Sequence, residues 1–437
     1  MPENSWSENE LDGNLDPLAS LLPELPDWSP DPEEEEDEFR SDFFQGLGGR
    51  RRKAAFALLM VWVATIALHL FSWGAWAVWA LTFVVGAHIL RVVLARPQGL
   101  AVSEPIVAAG EAGGDRQRPM FSILVAARNE EAVIDELVRQ LCQLDYPRDR
   151  YEVWFVNDRS TDNTGPILDR LAQDYPQLNV LHRGANDGGG KSGALNQVLT
   201  RTRGEFIAVF DADAGVPTDI LQRVLPQFSR PQTGAVQVRK AIANKDVNFW
   251  TCGQSIEMVL DSYFQQQRIA VGGIGELRGN GQFVRRSALL RCGRWNEQTI
   301  TDDLDLTLRL HLDTWDINFL TYPAVGEEGV TNWGALWHQR NRWAEGGYQR
   351  YLDYWRWIAR NCLGVNKTLD LLAFMLLQYL LPIALVPDYL MAIWRQQLPV
   401  LAPLSMLVFG FSFLGMAIGD RRVTRAESTT MGVKETC

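Results

Sequence analysis

Residues 206–213 read FIAVFDAD: five apolar side chains in a row, then Asp211 and Asp213 around a single alanine. A strand with one wet face alternates apolar and polar residues, so the unbroken run 206–210 predicts a strand covered on both faces. Side chains two apart on a strand share a face, so the two carboxylates are predicted to project together from its carboxyl end. Paired hard oxygens of that kind suit Mg2+, with Mn2+ as the other natural choice, held against a pyrophosphate. There the ion would stabilise negative charge on a departing group.

The segments before it read the same way. FSILVAA at 121–127 is an apolar strand ending in Arg128, Asn129, Glu130 and Glu131. A helical pattern follows through Val133, Ile134, Leu137, Val138 and Leu141. Next come strands at 152–156 and 178–182 with a helix near 164–173 between them. Short apolar strands alternating with helices imply an α/β domain with a mainly parallel sheet, helices on both faces. Ligands of such sheets gather at the carboxyl ends of the strands, where the polar clusters of this chain lie.

Four more clusters carry candidate chemistry. Asp158, after the strand at 152–156, either accepts a hydrogen bond from the edge of a nucleobase or belongs to a helix-capping turn with Ser160, Thr161 and Asp162. Lys191 follows Gly188, Gly189 and Gly190, but a P-loop would require glycine at 185, which is Ala185. That lysine is either a solvated loop residue or a cation for a diphosphate. Asp302 and Asp303 follow Thr301 and precede Leu306, Leu308, Leu310 and Leu312. They either favour the start of that helix or supply a base that deprotonates an attacking hydroxyl. Gln339, Arg342 and Trp343 open an aromatic stretch with Tyr348, Tyr351, Tyr354, Trp355 and Trp357. Such residues prefer the membrane–water boundary, so an interfacial helix is expected there.

Flanking regions point to a bilayer. Residues 54–94 and 369–419 are nearly free of charge. One straight helix over the first would reach roughly 60 Å, twice the hydrocarbon thickness, so two spans turning near Ser72, Trp73 and Gly74 are expected. The second region divides at Arg395, Gln396, Gln397 and Pro399 into spans at about 369–392 and 398–419. Arg50, Arg51, Arg52 and Lys53 before the first pair, Arg91 and Arg96 after it, and Arg421, Arg422 and Arg425 after the second put all those ends inside. The middle, 118–360, is therefore expected in the cytoplasm.

The charge is uneven. Residues 1–49 hold 15 acidic side chains against Arg40, a net of −14; since the whole chain stands at −11, the remainder is +3. The acidic, proline-bearing start is expected to be a disordered tail. A mildly basic body beside apolar spans suits an anionic membrane surface and not a nucleic acid. Five cysteines without close pairing suggest neither a zinc site nor a disulfide framework. The expected organisation is thus a tail at 1–49, a hairpin of spans at 50–97, the α/β domain at 118–360, spans at 369–419 and a cytoplasmic tail at 420–437.

Taken in order, the five clusters resemble the family 2 glycosyltransferases over about 118–360. The family's D-x-D, T-E-D and Q-x-x-R-W signatures appear as Asp211 with Asp213, Thr301 with Asp302 and Asp303, and Gln339 with Arg342 and Trp343. The resemblance implies a GT-A nucleotide-sugar-binding fold flanked by about two spans before and two after, and an inverting single displacement. It implies that Asp158 contacts uracil, Lys191 lies near the diphosphate, and Asp211 and Asp213 serve nucleotide and metal. Asp303 would be the general base, while Gln339, Arg342 and Trp343 would close over donor and acceptor. Asp302 stands where the family usually has glutamate. The likeness is greatest to cyanobacterial members that glucosylate diacylglycerol, sharing the acidic start from Met1 to Trp6 and Leu15 to Leu18. It implies UDP-glucose as donor, diacylglycerol as acceptor, Mg2+ dependence and a plasma or thylakoid membrane; it names no protein partner. It also leads one to expect a longer carboxyl end than Ser428 to Cys437 provides. Two alternatives stay open: a processive polysaccharide synthase, and a catalytically dead membrane scaffold.

Overall fold

The computed structural model describes residues 50–97 and 118–434, with side chains to 427; the acidic tail expected over 1–49 lies outside the described residues. Two helices come first, α1 (Arg50–Leu70) and α2 (Gly74–Leu94). The chain then runs through β1 (Phe121–Ala127), α3 (Ile134–Cys142), β2 (Tyr151–Asn157), α4 (Thr164–Asp174), β3 (Leu178–His182), α5 (Gly190–Leu199) and β4 (Phe206–Phe210). It continues with β5 (Thr233–Ile242), α6 (Phe249–Ala270), β6 (Gln282–Arg285), α7 (Asp302–Leu312), β7 (Asp316–Glu327) and α8 (Trp333–Ala359). The last elements are α9 (Val365–Arg395) and α10 (Ala402–Lys434).

All seven strands form one sheet in the order β3-β2-β1-β4-β6-β5-β7. β1 is parallel to both β2 and β4, and β2 to β3, as the apolar runs predict. β6 is antiparallel to β4 and β5, and β7 lies parallel to β5. β1 feeds both layers of the core: Phe121, Ile123 and Val125 pack with Leu137, Val138 and Leu168 under α3 and α4. Leu124 turns the other way, to Leu195, Val198 and Leu306 under α5 and α7. A strand buried on both faces has no solvated side to encode, which is why its sequence does not alternate.

Four helices are long and apolar enough to cross a membrane: α1, α2, α9 and residues 402–427 of α10. Trp76, Phe83 and Phe409 are 76–78% exposed, a degree of apolar exposure that lipid tolerates and water penalises. The hairpin turn falls at 71–73, and Gly74 packs so closely on the Leu68 carbonyl that a β-carbon would collide with it. Two polar side chains inside the bundle satisfy each other. His69 Nε2 lies 2.7 Å from Asp388 Oδ1, and that carboxylate accepts the Val400 and Leu401 amides at 2.9 and 3.1 Å. α9 carries one π-helical turn at Leu376–Leu380 and Pro387. α10 runs to Lys434, so helix continues where a tail was expected from 420.

Membrane helices and α/β domain are fastened together. The buried guanidinium of Arg50 meets both oxygens of Asp353 on α8, at 3.0, 3.1 and 2.6 Å. Gln267 of α6 donates to the Val92 carbonyl at the end of α2 at 2.6 Å.

Candidate active site

β1, β2 and β4 all end at one edge of the sheet, with Val125 level with Phe210 and Ala127 level with Asn157. That register brings the residues after each strand together. β4 stops at Phe210, so Asp211 and Asp213 lie in a turn, closed by the Ala214 amide on the Asp211 carbonyl at 3.1 Å. Their proximity therefore comes from the turn and not from the strand alternation expected of them.

Asp211 donates its amide to Asn280 Oδ1 at 3.3 Å, and its carboxylate pairs with Lys191. Lys191 is delivered by the glycine turn that opens α5, where Gly189 takes φ +83° and Gly190 +50°. Burial alone would raise the Asp211 pKa; Lys191, then Lys240 and Arg342, hold it below the ordinary carboxylate range. Burial also opposes charge on Lys191, but Asp211, Asp302 and Asp303 keep it protonated well above the usual lysine range. Asp213 accepts the Glu328 amide at 3.3 Å, and burial followed by the Asp211 charge pushes its pKa up. Glu130, at the end of β1, is pushed to about 7 by burial and then by Asp213, Asp211 and Asp162.

Asp302 and Asp303 begin α7, whose N-cap is Thr301. Neither aspartate is the cap; both sit in the first turn, where a carboxylate faces the positive end of the helix dipole. Asp303 Oδ1 accepts the Leu304 amide at 2.8 Å. Burial and the neighbouring Asp302 lift the Asp303 pKa to about 6, although Arg278 and Lys240 pull it down. Burial chiefly raises Asp302, opposed by Lys191, and its Oδ2 is buried with no hydrogen-bond partner.

α8 brings the third group. It crosses close to the start of α7, with Gly346 pressed against the Thr301 side chain where a larger residue has no room. Two cations lie over the Trp343 ring, Lys240 at 5.5 Å and Arg340 at 4.2 Å from its centroid. Lys240 pairs with Glu327 at 2.6 Å and Arg340 with Glu257 at 2.6 Å. Arg342 is exposed and near enough to act on Asp211, while Gln339 Oε1 is buried without a partner.

Asp158 is buried at the same edge, but Arg183 Nη1 and Arg159 Nε donate to its Oδ1 at 2.7 and 3.2 Å. Arg183 also donates to the Gly188 and Gly190 carbonyls, so Asp158 supports the turn that carries Lys191. Asp158 takes no part in capping: α4 begins at Thr164 after the N-cap Asn163, and the Thr164 amide donates to Asp162 at 2.9 Å.

Five residues that matter here were not singled out from the sequence: Glu130, Arg183, Lys240, Arg278 and Asn280. Glu130 and Asn280 left a trace, the first in the polar run ending β1, the second between two glycines of positive φ, Gly279 and Gly281. Among the described residues no group of three or more His, Cys, Asp or Glu gathers to hold a metal ion. Asp211 and Asp213 offer hard carboxylate oxygens, the donor type that Mg2+ takes together with phosphate and water oxygens.

The family described as "Glycosyltransferase like family 2" matches residues 119–346. Over 98% of its length the chain is 58% identical to the β-monoglucosyldiacylglycerol synthase of Synechocystis sp., covering 87% of that protein. It is 57% identical over the same share to the synthase so named in Trichormus variabilis, covering 88% of it. Among solved structures it is similar to a mannosyltransferase from Pyrobaculum calidifontis in complex with GDP-Man and Mn2+. That match has a TM-score of 0.52 at 19% identity and covers 82% of this chain and 98% of the other. It bears on the fold alone, which is of GT-A type.

Proposed function

We propose, starting from the family 2 glycosyltransferases to which this chain belongs, that it transfers glucose from UDP-glucose to the hydroxyl of 1,2-diacylglycerol with inversion. The donor diphosphate would lie over Lys191 and Asp211, with Arg342 beside it and Asp158 toward the base. Asp211 and Asp213 would hold Mg2+, or Mn2+, which when bound supplies positive charge to the departing diphosphate. Asp303 takes the proton of the acceptor hydroxyl as that oxygen attacks the anomeric carbon and the bond to UDP breaks. Trp343, Gln339 and Arg342 close the site from the membrane side.

The observation that carries this reading is the contrast between two half-buried carboxylates in one charge cluster. Lys191 holds Asp211 ionised, while Asp303 is lifted to about 6, close to the range where a base works best at neutral pH. The printed name of relatives alike over nearly the whole chain supports diacylglycerol as acceptor and a single sugar over a polymer. The basic residues beside the spans support a cytoplasmic placing of the domain, at a plasma or thylakoid membrane. Incubating membranes that carry the protein with UDP-glucose and diacylglycerol, and resolving the product by mass and anomeric configuration, tests it. A β-monoglucosyl lipid is expected; a polymer or no lipid product would refute it.

A further inference from the structure

Behind Asp303 lies an ionic chain that none of the signature motifs contains. Glu276, wholly buried, is engaged by three guanidinium groups: Arg278 at 2.7 Å, Arg350 of α8 at 2.9 Å and Arg268 of α6 at 3.3 Å. Arg268 also binds Asp370 of α9 through Nε and Nη2 at 2.9–3.2 Å. Asp370 in turn accepts the Ile274 amide at 3.0 Å. Arg278 reaches a second carboxylate, Asp261 of α6, at 2.8 Å. Three cations thus meet three anions, and removing any one would leave an opposite charge uncompensated in the interior.

The segment bearing Arg278 is pinned to the start of α7. The Leu277 amide donates to Thr307 Oγ1 at 2.9 Å, and that hydroxyl donates to the Asp303 carbonyl at 2.8 Å. Asp303 Oδ2 comes within 3.6 Å of where a β-carbon on Gly279 would stand. The Arg278 amide is held by Gln237 Oε1 at 2.7 Å. Backbone and side chain of Arg278 are therefore both fixed next to the base.

We propose that Arg278 is a positioning residue for the transfer: it stations a positive charge beside Asp303, and Glu276, Arg268 and Asp370 tie that charge to the membrane-entering helix α9. The proposal rests on the reading of Asp303 as base. The charged groups around Asp303 are Asp302 on its own helix, Lys240 from β5, Lys191 from α5 and Arg278 from the loop before β6. Asp302 disfavours the carboxylate and the three cations favour it. Without Arg278, protonated Asp303 persists to higher pH, and activity on the acid side is lost first.

The test compares R278Q, R278K, D370N and D303N as full-length proteins in lipid nanodiscs containing diacylglycerol, with turnover of UDP-glucose followed across pH. UDP binding serves as the check of folding. In R278Q the midpoint of the acid limb should move up by about one unit while KM for UDP-glucose stays within about twofold. R278K should return the limb toward the parent, and D370N should shift it in the same direction by less. A limb that stays in place in R278Q, or an R278K profile matching R278Q, overturns the proposal. Should R278Q fail to bind UDP, a parent-like limb in D370N overturns it. Turnover by D303N would remove the base reading and this proposal together; an inactive D303N with unmoved limbs removes this proposal alone.

Discussion

The ammonium of Lys191 and the carboxylate of Asp211 form an ion pair between two turns, one opening α5 and the other closing β4. Both side chains are half-buried, and the desolvation that works against their charges is offset by each other's presence. Replacing Lys191 by Met leaves Asp211 facing Asp213, Asp302 and Asp303 with less compensation. kcat/KM for UDP-glucose should fall by about 100-fold or more, as when a preorganised donor is removed from a charge-stabilising site. Lys191→Arg should recover part of it. Steady-state kinetics on the two variants decide.

As the proposed base, Asp303 would act only as the carboxylate. Since its pKa is raised to about 6, activity should rise as pH increases through that value and level off above it. Below the midpoint the protonated form dominates and transfer stops. Asp303→Asn should abolish turnover at every pH while UDP still binds, which calorimetry and a pH–rate profile together would measure.

A cation bound at the proposed metal site would favour ionised Asp213, against which burial and the Asp211 charge both work. Chelation by EDTA should stop transfer and Mg2+ restore it. In Asp213→Asn the Mg2+ concentration for half-maximal rate should rise about tenfold or more, a loss seen even for outer-sphere partners of metal sites. Equal Mg2+ response in both proteins would remove Asp213 from the metal role.

Arg50 and Asp353 join α1 to α8 with side chains 1% and 7% exposed. Cutting Asp353 to Ala strands a buried guanidinium, a loss of about 3 kcal/mol or more. A lower unfolding temperature in detergent is expected, and Asp353→Glu should recover some of it.

Much of the fold was legible. The strands at 121–127 and 206–210 stand where their apolar runs placed them, because burial on both faces writes itself directly into local composition. Of the second half of the sheet less was visible: β6 is four residues long, and β5 and β7 pair across more than eighty positions, separations that carry no local signal. The Asp211–Asp213 turn shows the other kind of miss, a grouping read from strand geometry where the strand had already ended.

The chain's own order of residues determined which helices are long and apolar enough to cross a bilayer, which strands form the parallel half of the sheet and which acidic clusters follow them, since each depends on neighbours within a few positions. Tertiary packing decided the partners of those acids. It engaged Asp158 with Arg183 and Asp211 with Lys191, left Asp303 short of compensation, and drew Lys240, Arg278 and Asn280 from distant segments to the same place. A carboxylate's pKa follows from burial and from charges a few ångströms away, and in this protein those charges lie tens of residues off along the chain.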